Sequence, residues 1–311
     1  MSSDPVVSII VPSYNCERFI AETLGSVRDQ TFENWELIVV DDGSRDATVE
    51  IASQFDERIR VVQQKNAGVC AARNHGYRLS RGRFLCFLDH DDWWFPDKLA
   101  RQLVCMKGMP EAGMCFTRET NWYPLQGVFP DPQSMRETPE QDGLDSDLTG
   151  WVYHRYLLEC PSLTSASMIR REVLETVGPF DEALPYSEDW DLFLRITRQF
   201  QMAAMRWSST LYRQHPGQGN RVPRPVDYRT RLMQTARARW GLTSQDGRSI
   251  TDAAFRARLS QYMMEFGRMH LDSGSRWQGV RSLLDAWRHA PHKPAILAMA
   301  LAGAGGWQPG D

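Results

Sequence analysis

The first third of the chain alternates between short runs of apolar, mostly β-branched residues and segments whose apolar residues recur at helical spacing. The apolar runs are residues 6–11, 36–40, 59–62 and 83–88, and the helical segments between them are residues 18–30, 48–55 and 68–79. This order predicts an α/β fold with a mostly parallel sheet flanked by helices on both faces.

Polar loops follow three of these four strands, at residues 12–15, 41–44 and 89–92. Open parallel sheets bind their ligands in the crevice outside the carboxyl ends of the strands. We therefore expect the three loops to converge on one crevice and to form a single site.

The third loop is acidic. Asp89, Asp91 and Asp92 place three carboxylates in four residues, and such crowding is unfavourable unless a cation compensates it. Oxygen ligands favour magnesium, manganese or calcium over zinc. Because the loop supplies only a few carboxylates, it suits a metal whose remaining coordination sites are filled by water and substrate phosphates. The alternative is a solvated acidic turn that caps the following helix.

The other two loops and the third helix carry residues suited to a nucleotide. Asp42 is placed to accept a hydrogen bond from a nucleobase N–H, Tyr14 to stack on the base, and Arg73 to neutralise a diphosphate. These segments also allow an ordinary structural interpretation. Asp41 can cap a helix, Tyr14 can be a partly buried core residue, and Arg73 can form a surface salt bridge.

A second acidic cluster, Glu188-Asp189-Trp190-Asp191, opens an amphipathic helix. Carboxylates complement the helix dipole there, which accounts for one or two of them. A carboxylate facing an activated sugar can act as general base for a hydroxyl nucleophile. His215, before a Pro-Gly turn, is a candidate metal ligand or phosphate contact, with a purely structural role as the alternative.

The remaining chain divides into an irregular stretch and a helical tail. Residues 106–150 lack a regular pattern and predict a long excursion, after which a strand at 165–169, helices at 171–177 and 190–198 and a strand at 202–207 follow. Helical patterns then occupy residues 228–240, 251–272, 277–289 and 295–304. We divide the chain at 1–220 and 221–311, and expect the tail to pack on the core, or to mediate a homo-oligomer or a membrane-surface contact.

Composition excludes several classes of protein. The net charge of -3 gives no basis for a nucleic-acid partner. The six cysteines form no C-x-x-C pair, which favours reduced, buried thiols. We expect no signal peptide, and no apolar run reaches the roughly 18 residues that span a bilayer. The predicted location is cytoplasmic, at most peripheral to the inner face of the membrane.

Taken in order, these segments resemble the family 2 glycosyltransferases, an inverting group with the GT-A fold. The resemblance covers roughly residues 5–217. It is carried by Val7-Ser8-Ile9-Ile10-Val11-Pro12-Ser13-Tyr14-Asn15, Val39-Val40-Asp41-Asp42-Gly43-Ser44, Asn66-Ala67-Gly68, Ala72-Arg73-Asn74, Phe87-Leu88-Asp89-His90-Asp91-Asp92, Gly178-Pro179-Phe180-Asp181-Glu182 and Ser187-Glu188-Asp189-Trp190-Asp191-Leu192.

On the donor side, the resemblance assigns the nucleoside to Pro12, Tyr14 and Asp42, and gives Arg73 a nucleotide contact. It implies a D-x-D motif with manganese or magnesium as cofactor: Asp89 lies towards the ribose and Asp91 on the metal. His215 matches a histidine that reaches the metal or the diphosphate in some members. His90 departs from the small residue that is common at its position, and the resemblance assigns it no role.

On the acceptor side, the resemblance makes Asp189 the general base and places Glu188 and Trp190 close to the acceptor. The predicted reaction moves a sugar from a nucleotide-diphospho-sugar, UDP-linked by preference, to a hydroxyl of a glycan, lipid-linked or protein-linked acceptor. One displacement inverts the anomeric centre.

Two other functions compete with this one. A nucleotidyltransferase shares the sheet and the acidic metal site, but it needs a basic, glycine-rich phosphate loop, and residues 12–15 contain neither lysine nor glycine. A catalytically silent binding or scaffold protein would be expected to lack Asp91 or Asp189, and both are present.

Overall fold

The computed structural model describes residues 4–136, 143–218 and 223–305. Eight strands form one sheet in the order β3-β2-β1-β4-β7-β6-β8-β5. The strands are β1 (Val7–Ser13), β2 (Trp35–Asp41), β3 (Ile59–Gln63), β4 (Phe84–Phe87), β5 (Trp93–Trp94), β6 (Ala112–Trp122), β7 (Ser167–Arg170) and β8 (Gln201–Arg213). The helices are α1 (Ile20–Arg28), α2 (Thr48–Phe55), α3 (Val69–Leu79), α4 (Lys98–Gly108), α5 (Tyr153–Tyr156), α6 (Arg171–Val177), α7 (Glu188–Gln199), α8 (Tyr228–Trp240), α9 (Asp252–Asp272), α10 (Arg276–His289) and α11 (Pro294–Gly305).

The first four strands are parallel and have helices on both faces, as predicted. Successive residues of a strand point to opposite faces, so a continuous apolar run serves two helical layers. Ile9 and Val39 pack with α1, α2 and α4 on one face. Ile38 and Val40 pack with α3 on the other. This double burial explains why the middle of β1 and of β2 contains no alternating polar residues.

Gly76 lets α3 lie against the sheet. A Cβ atom at this position would come within 2.4 Å of Ile10 Cγ2 and 3.2 Å of Val40 Cγ2. Interiors are packed too densely to absorb such an overlap without movement. The glycine therefore fixes the distance of α3, the helix that carries Arg73, from β1.

The irregular excursion predicted for residues 106–150 is wrong in part, because the beginning of this range has regular structure. The end of α4 and the eleven-residue β6 occupy part of it, and β8 extends over thirteen residues. β7 pairs antiparallel with β4 and β6, and β5 pairs antiparallel with β8, so six of the eight strands run in one direction. The predicted class, a mostly parallel sheet flanked by helices, is confirmed.

The chain forms two compact units. Unit 1 combines Met1–Val152 with Cys160–His215, and unit 2 combines Tyr153–Glu159 with Pro216–Asp311. Within unit 2 the Tyr153 hydroxyl lies 3.2 and 3.0 Å from the carbonyl oxygens of Ala236 and Gly241, to which it donates. The predicted division between residues 220 and 221 lies outside the described residues and stays a prediction.

The four helices predicted for the tail are present as α8 to α11, and their bounds agree closely with the predicted ones. In the described part of the chain, no helix combines the length and the apolar character that crossing a bilayer requires.

Candidate functional site

The three predicted loops lie side by side, and hydrogen bonds between them show this directly. The Asn15 N–H donates to Ser44 Oγ at 2.9 Å, and the Arg45 N–H donates to Asn15 Oδ1 at 2.9 Å. His90 Nδ1–H donates to the carbonyl oxygen of Pro12 at 3.1 Å. His90, to which the sequence assigned no role, therefore ties the acidic loop to the end of β1.

Asp42 supports the segment that precedes α3. The residue is 4% exposed, and its carboxylate accepts from Gln64 Nε2, Ala67 N and Gly68 N, each at 2.8 Å. Three donors fix the path of residues 64–68, so the observed role of Asp42 is to shape this wall of the site. Tyr14 stands 45% exposed at the end of β1, as a stacking residue would. The contacts of both residues with a base stay predictions.

Arg73 joins the two acidic clusters. Its Nη2 donates to Asp89 Oδ1 at 2.7 Å and its Nη1 to Glu188 Oε1 at 2.8 Å, while its side chain is 4% exposed. Burial lowers the pKa of Arg73, but the charges of Asp89 and Glu188 outweigh it and raise the pKa above the ordinary arginine value. Arg73 and Glu188 are 115 positions apart in the sequence, so only the fold brings them together.

Asp91 and His215, both predicted to serve the metal, are adjacent. His215 Nε2 lies 3.0 Å from Asp91 Oδ2, and the centre of its ring lies 4.8 Å from that of Phe19. Burial raises the pKa of Asp91, but the hydrogen bond from His215 and the charges of His90 and His215 outweigh it and lower the pKa. Asp91 is therefore an anion at neutral pH.

The side chains of Asp91 and His215 are chemically suited to share a divalent cation only if most of its ligands come from outside the protein. Among the described residues, no group of three or more His, Cys, Asp or Glu side chains is arranged to hold a metal. Asp91 and His215 offer one carboxylate and one imidazole, while Asp89 already neutralises Arg73. Two protein ligands suit magnesium or manganese when water and phosphate oxygens complete the coordination.

Arg213 holds the acidic loop from behind, and sequence reasoning missed it. Its Nε donates to the carbonyl oxygen of Asp91 at 2.7 Å, its backbone N–H to Asp92 Oδ1 at 3.2 Å, and its Nη2 to Glu22 Oε2 at 2.7 Å. The guanidinium lies 4.0 Å from the ring of Trp122 and is 1% exposed. The one available signal was its position two residues before His215, at the end of β8.

Two acidic residues suspected of capping helices do not cap them. Asp41 accepts from the N–H groups of Gly43 and Ser44 and so closes its own turn, whereas α2 begins later, at Thr48. Asp92 is fully buried and precedes β5, and the next helix begins at Lys98. Burial and the charges of Asp91 and Asp89 raise the pKa of Asp92 well above its usual range.

The second acidic cluster occupies the first turn of α7. Ser187 precedes it in the left-handed conformation, with φ at 62°, which costs a non-glycine residue about 1 kcal/mol. Asp191 pairs with Arg195 at 2.9 Å, and Glu188 binds Arg73. The carboxylate of Asp189 accepts the N–H of its neighbour Trp190 at 2.7 Å, and no arginine or lysine of the described chain forms an ion pair with it.

The environment of Asp189 makes its carboxylate more basic. Burial first, and the charge of Glu188 second, raise the pKa of Asp189 to about 7, although Arg73 opposes them. A carboxyl with this pKa is half ionised near neutral pH and is a stronger base than an ordinary aspartate. Trp190 is 3% exposed, so its ring belongs mainly to the core, and its predicted acceptor contact stays a prediction.

The fold is of the GT-A type found in glycosyltransferases. The Glycosyl transferase family 2 model matches residues 8–137. A UDP-Glc:alpha-D-GlcNAc-diphosphoundecaprenol beta-1,3-glucosyltransferase of Escherichia coli, WfgD, is 33% identical over 205 residues, which cover 65% of this chain and 74% of WfgD. The chain belongs to the family 2 glycosyltransferases.

Other relatives are longer than the matching segment. A glycosyltransferase of Rickettsia typhi, RT0329, is 30% identical over 199 residues, which are 62% of this chain and 59% of RT0329. Among solved structures, TarS of S. aureus in complex with UDP-GlcNAc has a TM-score of 0.63 at 19% identity, over 96% of this chain and 87% of that one. The mannosyltransferase PcManGT of Pyrobaculum calidifontis, in complex with GDP-Man and Mn2+, has a TM-score of 0.55 at 18% identity, over 96% and 81%. The two structural likenesses show the fold.

Proposed function

We propose that this chain transfers a sugar from a UDP-sugar to a hydroxyl of a lipid-linked sugar, in one displacement that inverts the anomeric carbon. One observation carries the proposal. Arg73 binds both Asp89 of the acidic loop and Glu188 of the second acidic cluster, while the carboxylate of Asp189 forms no ion pair within the described chain. Glycan and protein-linked acceptors are the alternatives to a lipid-linked one.

The donor side would be built from residues of the three loops. Tyr14 and the segment shaped by Asp42 would bind the nucleoside, and Pro12 would line its pocket. Asp91 and His215 would hold magnesium or manganese. When bound, the cation supplies positive charge that neutralises the diphosphate and the leaving nucleotide. Asp89 would reach the ribose from its place beside Arg73.

The acceptor side depends on Asp189. In the proposed reaction its carboxylate removes the proton from the acceptor hydroxyl as that oxygen attacks the anomeric carbon, and the bond to the diphosphate breaks on the opposite face. Glu188, bound to Arg73, raises the basicity of Asp189 through its charge. The protein forms no covalent bond to the sugar.

The choice of donor and acceptor class is supported by the relatives. WfgD is named for UDP-Glc and for a GlcNAc-diphosphoundecaprenol acceptor, and TarS binds UDP-GlcNAc and UDP. A lipid-linked acceptor would bring the protein to the inner face of the membrane. A homo-oligomer formed through the C-terminal helices stays a prediction.

Thermal stabilisation tests the donor site. UDP-, GDP- and dTDP-sugars are screened with magnesium or manganese, and a ligand at a hundred times its dissociation constant should add about 2.7 kcal/mol to the free energy of unfolding. Asp91→Ala should abolish the metal-dependent part. Glu111→Gln, which alters an exposed carboxylate just before β6, is the control and should respond as wild type. If no nucleotide sugar stabilises wild type in the presence of either metal, the proposal fails.

A further inference from the structure

Exposed apolar side chains gather beyond the end of β6. The described residues expose nine large hydrophobic side chains, and three of these fall within six positions. Tyr123 is 55% exposed, Leu125 67% and Val128 71%. We call residues 123–128 the apolar tip. Scattered apolar residues are ordinary on a protein surface, but a cluster of this kind marks an interaction site.

The apolar tip is a defined turn. Leu125 N–H donates to Val128 O at 2.7 Å, and Val128 N–H donates to Leu125 O at 3.0 Å. Gln126 and Gly127 both have positive φ, 51° and 84°, as a two-residue hairpin turn requires. Directly opposed residues of a hairpin project to the same face, so Leu125 and Val128 form one exposed pair.

The base of the apolar tip is anchored in the core of unit 1. Trp122 is 1% exposed and its Nε1 donates to Pro130 O at 3.1 Å, while Gln214 N–H donates to Trp122 O at 2.9 Å. β6 runs in the same direction as β1 and β4, so the apolar tip leaves the sheet at the edge that carries the acidic loop. Gln214 also precedes His215 in the chain, which places the anchor beside the candidate metal ligand.

The composition and the small size of the apolar tip favour a lipid surface as its binding partner. Residues 120–130 contain no Asp, Glu, Lys, Arg or His. A stable protein interface needs about 800 Å² on each partner, and one turn with three exposed side chains is too small for that. Shallow insertion of a few apolar side chains, with tyrosine at the water boundary, is how proteins bind membrane surfaces.

We infer that the apolar tip inserts into the surface of a lipid bilayer and holds the site edge of the sheet against it. This surface is distinct from the C-terminal helices, for which a membrane contact was predicted from sequence. If the proposed function holds, the contact presents the site at the depth where a lipid-linked sugar meets water. The membrane contact itself does not depend on that function.

Co-sedimentation with vesicles tests the inference. Vesicles of phosphatidylcholine alone should bind wild type, and added phosphatidylglycerol or salt should change the affinity little, because the apolar tip has no charge. Leu125→Ser combined with Val128→Ser should weaken binding by at least roughly tenfold. The matched control combines Val104→Ser and Leu301→Ser, whose side chains are 72% and 63% exposed elsewhere, and it should bind as wild type.

Three outcomes would overturn the inference: wild type that does not sediment with either vesicle, a double variant of the apolar tip that binds as wild type, or loss of binding in the Val104 and Leu301 control instead. Transfer to a GlcNAc-diphosphate on a short alkyl chain, free in solution, is measured in parallel. Wild type that binds vesicles yet transfers no sugar refutes the proposed function and leaves the membrane contact standing.

Discussion

Removal of Arg73 should destabilise the protein strongly. Arg73→Ala leaves Asp89 and Glu188, whose side chains are 28% and 13% exposed, without the cation that both bind. Breaking a buried ion pair from one side typically costs about 3–5 kcal/mol, and the partial exposure of Asp89 places the expectation at about 3 kcal/mol. Urea unfolding followed by tryptophan fluorescence measures this loss.

Two further variants separate uncompensated charge from lost packing. Adding Asp89→Asn and Glu188→Gln to Arg73→Ala removes both carboxylate charges and should restore at least about half of the lost free energy. Arg28→Ala is the matched control, because Arg28 pairs with Asp29 at 3.0 Å with side chains 50% and 59% exposed, and it should cost under about 1 kcal/mol. If Arg73→Ala costs no more than Arg28→Ala, or the added variants restore nothing, Arg73 does not bridge the two clusters through its charge.

Four other predictions concern the base and the core. Asp189→Asn should lower the transfer rate about 10²- to 10⁴-fold and leave the dissociation constant of the donor unchanged in calorimetry; a parallel loss of donor binding would make Asp189 structural. Because Asp189 must be ionised to act and its pKa is raised to about 7, transfer should rise with pH up to about 7 and then level off. The same raised pKa means that the native state holds this proton more tightly than the unfolded chain, so its stabilising effect is lost as pH rises from about 4 towards about 7. Over that pH range the urea midpoint of Asp189→Asn should therefore rise relative to the midpoint of wild type. A constant difference between the two midpoints would contradict the raised pKa of Asp189. Gly76→Ala should cost about 1–3 kcal/mol of unfolding free energy through the clash with Ile10, while Gly108→Ala, with open space around its Cβ, should cost nothing; equal effects would show that α3 yields.

The sequence predicted the first half of the sheet well because its signals are local. β1 and β2 are buried on both faces, so their apolar runs stand out from the helices between them. The bounds of α2, α6 and α8 match the predicted segments. β6 escaped prediction because its first six residues are buried while residues 118–121 are exposed or half-buried, so neither a continuous nor an alternating pattern persists along it.

The sequence predicted the motifs of the site but not the hydrogen bonds and ion pairs that its side chains form. The loops were placed correctly because the carboxyl ends of parallel strands share an edge. That Arg73 would bind Asp89 and Glu188 depends on how α3 and α7 pack, and Arg213 belongs to no motif. Such contacts arise from tertiary structure, which spacing along one chain does not encode.

The strand order also fixes when the site can exist during synthesis. The sheet begins with β3, β2, β1 and β4, all complete by residue 87. Among the described residues, β5 pairs with β8 alone, and β8 ends at Arg213. A nascent chain that has reached only β7 already carries Asp91 and Asp92, yet it lacks Arg213 and His215, which hold them. Closure over so long a separation is slow, because the entropy of ordering the intervening chain is lost before the contacts form. The acidic loop is therefore made well before β8, on which its final arrangement depends.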